Sequence, residues 1–225
     1  MNQLNNLIKK ELSFYFKNPL GYIVVCLFAI IANFLFMKDV FLRDDTSMRP
    51  FFDMIPFLLL FFVPALAMRV FSEEQKAGTL ETLLSLPVKE EIIVLAKFIA
   101  VSICFTIAFL LTLSVPISLF FLGKVTVGLL LCQYLGAFFL TILFLSITQF
   151  FSLFSKNQVV VFLISVVVIF LLFIPTILND SLFIISPIYY YEQFQRGLLD
   201  TRALIYFTVL TTLLQVAAIK KLKRL

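Results

Sequence analysis

The sequence contains no histidine and no tryptophan, and only 14% of its 225 residues are charged. Without histidine the chain cannot form an HExxH zinc site, a Ser-His or Cys-His dyad, or an imidazole ligand to haem. A soluble domain has about 25% charged residues, so the charge here is too sparse to cover an ordinary soluble globule. These absences exclude histidine-dependent enzymes and argue against a soluble protein.

Cysteine is also scarce, and its spacing indicates no site. Cys26, Cys104 and Cys132 each lie in an apolar run, so we interpret them as small buried side chains rather than as disulfide or metal partners. The sole Gly-Lys pair, Gly123 and Lys124, lacks the other residues of a phosphate-binding loop. We therefore expect no catalytic, metal or cofactor site on this chain, and no enzymatic activity of its own.

Apolar residues dominate instead: they make up 62% of the chain and include 29 phenylalanines. A helix of about 20 apolar residues crosses the ~30 Å core of a bilayer. Six such runs predict an all-α membrane protein made of one domain, residues 1–225. The predicted spans are 18–37, 51–69, 98–122, 127–153, 159–178 and 203–219. The interior of these spans holds no ionisable side chain, which argues against an ion-coupled carrier.

Basic residues are distributed unevenly around the predicted spans. Of the 18 lysines and arginines, twelve lie in the N-terminal arm, the loops after spans 2 and 4, and the C-terminal tail. Because cytoplasmic loops are enriched in Lys and Arg, this distribution places both termini in the cytoplasm. It also accounts for the net charge of +5 without a nucleic-acid partner.

The segment before span 1 is amphipathic. Residues 3–17 place apolar side chains at helical spacing, with lysines elsewhere on the helix. A basic amphipathic helix next to a span typically lies in the plane of the membrane surface. This segment is therefore expected to be either a plain membrane anchor or a cytoplasmic elbow that touches a partner.

The loop between spans 2 and 3 predicts two short helices. A capping box at Ser72 and Gln75 predicts the start of the first helix, and Gly78 its end. Thr79 is placed to cap the second helix, and Pro87 ends it. The second helix has an apolar face that lipid, the rest of the chain or another protein must cover, made of Leu80, Leu83 and Leu84.

This loop resembles a known family signature. The string MRVFSEEQKAGTLETLLSLPV is similar to the segment between spans 2 and 3 of ABC-2 type permeases, the membrane subunits of certain ATP-driven transporters. The strings SKNQVVVF and SPIYYYEQFQRGLLDTRALIYF resemble one branch of that family, the gliding-motility-associated and copper-processing permeases. The positions that the resemblance implies for contact with an ATPase are Glu73, Glu74, Gly78, Thr79, Leu80, Glu81, Leu83, Leu84 and Pro87.

The resemblance implies a fold of six transmembrane helices with an N-terminal elbow helix and short outer helices in residues 182–199, between spans 5 and 6. It implies that Thr79–Leu86 is a cytoplasmic coupling helix and that the 71–90 segment docks on a separate ATPase chain, which would bind ATP and Mg. The implied protein is the permease subunit of an ATP-binding cassette transporter, an exporter in the bacterial inner membrane. Its pathway would lie in a dimer with a second copy or a homologous permease.

One other class of protein fits the sequence. A structural or assembly subunit of a membrane complex, without a pathway of its own, would have the same apolar composition. A secondary carrier would need internal repeats or charge within the membrane, and neither is evident. An intramembrane enzyme is disfavoured because the sequence has no histidine and no buried pair of carboxylates is predicted. The amphipathic loop between spans 2 and 3 favours ATP-coupled transport, because only that function needs such a helical pair at a cytoplasmic turn.

Overall fold

The computed structural model describes residues 2–43, 48–85, 87–121, 126–175 and 183–224. The ends of predicted spans 3 and 5, residues 122 and 176–178, lie outside these ranges, as do residue 86 of the predicted coupling helix and residue 182 of the outer segment. The helices are α1 (Asn2–Lys17), α2 (Pro19–Arg43), α3 (Arg49–Ala67), α4 (Arg69–Ala77), α5 (Thr79–Leu84), α6 (Glu90–Thr112), α7 (Ser114–Phe121), α8 (Val127–Ser152), α9 (Gln158–Leu171), a 3-10 turn (Phe183–Ile185), α10 (Pro187–Gln195) and α11 (Thr201–Leu222).

Several of these helices are long and apolar enough to cross a membrane. Among the described residues there are four, formed by α3 with α4, by α6 with α7, by α8 and by α11. The pair α1 and α2 would add a fifth if it is one broken span, and α9 is apolar but shorter. The predicted all-α membrane architecture is confirmed over the described residues, while the count of six spans stays a prediction.

A sharp bend separates α1 from α2. Their axes differ in direction by 77°. At the bend, Asn18 Oδ1 accepts a hydrogen bond from the backbone N–H of Leu20, at 3.4 Å. The chain then passes so close to Tyr15 that a Cβ atom on Gly21 would lie 2.2 Å from the Tyr15 carbonyl oxygen. Glycine at this position therefore permits α1 to fold back against the helices that follow.

The core is built around α8. This helix is apolar on all sides and packs against α3, α6, α9, α10 and α11, as expected for a central helix. Phenylalanine rings fill much of the core: Phe28 on α2, Phe52 on α3 and Phe144 on α8 are fully buried. Cys104 and Cys132 are buried as predicted, whereas the prediction was wrong for Cys26, which lies on the exposed face of α2.

The helices bring two sets of segments together, one at each end of the bundle. We call α4, α5 and the turn between them the hairpin. At the first end of the bundle, the hairpin end, α1 and the hairpin meet the start of α6 and the residues that directly follow α8 and α11. Gln75 Nε2 there donates to the Leu153 carbonyl at 3.2 Å, and Lys223 Nζ lies 3.5 Å from Glu91 Oε1. The hairpin end thus collects the basic segments that the charge distribution assigns to one side.

Candidate functional site

The predicted pair of short helices between spans 2 and 3 is present as α4 and α5. Gly78 ends α4 as predicted, and its φ of +69° is a left-handed conformation that glycine adopts without strain. The predicted capping box was wrong, because α4 follows α3 after the single residue Met68, and Ser72 lies inside α4 with its hydroxyl donating to the Met68 carbonyl. Thr79 is the first residue of α5 rather than its cap.

The apolar face of α5 is covered by the chain itself. Leu80 and Leu83 are each 6% exposed and belong to the main core, while Leu84 is half-buried against it. The sequence left lipid, the rest of the chain or another protein as the cover of this face. For Leu80 and Leu83, the two most buried leucines, the cover is the rest of the chain. The side chains that α5 and the adjoining turn leave exposed are Thr79, Glu81, Thr82, Ser85 and Pro87.

A buried lysine joins α4 to two other helices. Lys97 lies inside α6 and is only 3% exposed, although the apolar pattern of the sequence predicts it in the loop before span 3. Its Nζ atom is 2.8 Å from Oε1 of Glu74 on α4 and 3.2 Å from Oε1 of Glu11 on α1. We call these three residues the Lys97 cluster. The ammonium group of Lys97 thereby holds α1, α4 and α6 together.

The two neighbouring glutamates of the signature have different surroundings. Glu74 reaches the buried Lys97, whereas Glu73 faces Arg69 one turn back on α4, at 3.8 Å. The side chain of Glu73 is 34% exposed. The distance from Arg69 to Glu73 is too long for a hydrogen bond, so Glu74 is the glutamate that holds helices together and Glu73 keeps unused acceptor capacity.

A cavity of about 270 Å³ opens beside the Lys97 cluster, between α1, α4 and α6. Tyr15 forms part of its wall. Burial, followed by the Glu11 carboxylate, raises the pKa of the Tyr15 hydroxyl well above its usual value, so this group stays neutral. The lining residues are Lys10, Glu11, Phe14, Tyr15, Arg69, Val70, Glu73, Glu74, Ala77, Thr79 and Lys97.

A second polar group lies between the long helices. Gln149 on α8 is fully buried and donates to the Val94 carbonyl of α6 at 2.9 Å. Gln215 on α11 donates to Gln149 Oε1 at 3.2 Å. The sequence-based predictions include neither glutamine. Their position inside apolar runs could have indicated a buried polar contact, because an amide in such a run needs a partner.

Within the described ranges no group of three or more acidic or cysteine side chains could hold a metal ion.

Comparison with known proteins identifies a family. A family model described as ABC-2 family transporter protein matches residues 6–219. The matched range begins in α1 and ends in α11, so it includes the hairpin and the Lys97 cluster. No curated protein matches the sequence at a significant level. The finer likeness to gliding-motility-associated and copper-processing permeases stays a prediction.

Proposed function

The chain belongs to the ABC-2 transporter family, and from this premise we propose that it is the permease subunit of an ATP-binding cassette exporter whose ATPase is a separate chain. Family membership makes it a multi-pass membrane component of such a transporter. The proposal adds that α4 and α5 receive the movement of the ATPase. It also adds that the hairpin end and both termini face the cytoplasm of a bacterial cell.

The Lys97 cluster is the observation that carries this proposal. A hairpin that is pushed by a partner can transmit force only if it is tied to the membrane helices. Separating a buried ammonium from its carboxylates is costly, so displacement of α4 would move α1 and α6 with it. The exposed residues of α5, among them Glu81 and Thr82, offer the adjoining surface on which an ATPase would act.

We further propose six crossings, made by α2, α3, α6, α8, α9 and α11. The shortness of α9 is compatible with this count, because the predicted span 5 continues beyond it in the sequence. The interior of one copy is filled by fully buried side chains such as Leu140 and Phe144. This supports a pathway between two permeases rather than through one, with lipid or a second chain against the exposed apolar residues of α2 and α9.

The test is purification of the complex through a tag on this chain. We expect an ATP-hydrolysing chain with a phosphate-binding loop to purify with it. Thr82→Arg places a bulky cation on the exposed face of α5 and should reduce the bound ATPase at least tenfold, while the permease still inserts into the membrane. The matched control is Thr201→Arg, at an exposed threonine of α11 at the opposite end.

Two outcomes would contradict the proposal. An ATPase that binds the Thr82→Arg variant as well as the wild type does not dock on α5. A chain that purifies with other membrane subunits and never with an ATPase is the structural or assembly subunit that the sequence left open.

A further inference from the structure

We propose that the cavity between α1, α4 and α6 binds the headgroup of a zwitterionic aminophospholipid, of the phosphatidylethanolamine class, and that this lipid steadies the hairpin. The inference rests on the proposed function in one respect, the location of the hairpin at the inner membrane surface. The cavity lining includes Glu73, Glu74 and Thr79, but not Glu81 and Thr82, the exposed residues proposed above for ATPase docking.

The charges that line the cavity balance. Three cations, Lys10, Arg69 and Lys97, face three carboxylates, Glu11, Glu73 and Glu74. Because this lining is neutral overall, a purely anionic or purely cationic ligand would bring an uncompensated charge into a partly enclosed site. A ligand that carries one group of each sign complements both sets.

Three polar atoms beside the cavity have no hydrogen-bond partner. Arg69 Nε, Glu73 Oε2 and Glu74 Oε2 are shielded from solvent and unpartnered. The ion pair of Arg69 with Glu73 spans 3.8 Å, which is too long for a hydrogen bond. Buried polar atoms are normally satisfied, and the missing partners are one acceptor and a group with several donors. If these side chains rotate toward the cavity, a phosphate oxygen supplies the acceptor and a primary ammonium supplies the donors.

The open side of the cavity fits the remainder of a lipid. Lys10 has an exposed side chain and can bind the phosphate, while the neighbouring Phe14 exposes 40% of its surface. An apolar ring beside a lysine is typical of the boundary between headgroups and acyl chains. The ammonium would therefore lie inside against Glu73 and Glu74, and the acyl chains would leave past Phe14.

The experiment adds lipids with identical acyl chains to the delipidated complex in detergent. Phosphatidylethanolamine should raise the midpoint of thermal unfolding by about 2–4 °C, because a ligand that binds only the folded state stabilises it. Phosphatidylcholine has no N–H donor and phosphatidylglycerol has no ammonium, so both should give much smaller shifts. Native mass spectrometry counts the bound lipid independently of stability.

Glu73→Gln tests the site itself. It keeps the size of the side chain but removes the charge that the ammonium needs, so it should abolish the preference for phosphatidylethanolamine over phosphatidylcholine. The control is Glu192→Gln, because Glu192 is also half-exposed and also pairs with an arginine one turn away, Arg196, but lies outside this cavity. The control should keep the preference.

Equal shifts with phosphatidylethanolamine and phosphatidylcholine would overturn the proposal, and so would the strongest shift with phosphatidylglycerol. Glycerophosphoethanolamine, the headgroup without acyl chains, should act only at a far higher concentration; equal potency would assign the cavity to a soluble ligand instead. These measurements apply to whatever assembly purifies with the chain. Failure of the lipid assignment therefore leaves the test of ATPase docking unaffected.

Discussion

Different kinds of contact join the helices at the two ends of the bundle. At the hairpin end, three elements share the buried ammonium of Lys97. At the opposite end, neutral hydrogen bonds join separate elements: the Tyr191 hydroxyl donates to the Phe52 carbonyl at 2.7 Å, and Gln133 donates to the Gln195 carbonyl at 3.2 Å. We interpret the neutral hydrogen bonds to backbone carbonyls as static contacts. We interpret the ammonium with two carboxylates as the contact that keeps α1, α4 and α6 together when they move.

The largest effect is expected from Lys97→Met. It leaves Glu11, which is 7% exposed, with only the exposed Lys10 at 4.0 Å as a cation. Removing one partner of a buried ion pair costs about 3 kcal/mol. For a chain of this size the midpoint of thermal unfolding should fall by about 6–12 °C. Scanning calorimetry or fluorescence unfolding of the purified variant measures this shift.

A neutral version of the whole cluster separates stability from force transmission. Glu11→Gln, Glu74→Gln and Lys97→Met combined leave no unpaired charge buried at the cluster, so most of the stability should return. If the cluster transmits movement, coupling of ATP hydrolysis to the permease should stay low in this triple variant. Full recovery of both stability and coupling would show that the cluster stabilises the fold but does not transmit movement.

The next largest loss of stability is expected from a change in the bend that brings α1 to the Lys97 cluster. A methyl group at Gly21 would clash with the Tyr15 carbonyl, so Gly21→Ala must open the bend between α1 and α2. We expect a loss of about 2 kcal/mol, the middle of the range for overpacked sites. The distance between spin labels at one exposed position of α1 and one exposed position of α6 should increase in this background, and an unchanged distance would show that the bend adapts without moving α1.

At the opposite end, Tyr191→Phe should cost about 1–2 kcal/mol, because the buried Phe52 carbonyl loses its donor. Burial raises the pKa of the Tyr191 hydroxyl well above its usual value, so it remains a donor throughout the physiological range. Thermal unfolding should therefore show the same loss at pH 6 and pH 8. ATPase coupling should be unaffected, and a coupling defect as large as that of the triple variant would erase the distinction between the two ends.

The sequence predicts the local features of the hairpin and misses those that depend on tertiary contacts. Gly78 marks the end of α4 because a left-handed residue is a local requirement. The capping box at Ser72 failed because α3 runs almost directly into α4, so the free helix start that a cap requires does not exist.

The partners of Lys97 could not be read from the sequence, because Glu11 is 86 residues away along the chain and Glu74 is 23. For the same reason, the sequence did not predict which part of the molecule covers Leu80 and Leu83. Burial in the core is decided by elements that are distant in the sequence. The helices of the bundle were predictable from apolar runs, since each run is a local property.

The smallest effect should come from Lys223→Met, which sharpens the comparison within the hairpin end. Lys223 and Glu91 also form an ion pair between two helices, at 3.5 Å, but their side chains are 48% and 56% exposed. Water screens such a pair, so its loss should cost less than about 0.5 kcal/mol. The thermal midpoint of this variant, measured beside that of Lys97→Met, compares two lysine-carboxylate contacts that differ mainly in burial. If both variants lost the same stability, charge at this end rather than burial would hold the hairpin, and the special position of Lys97 would disappear.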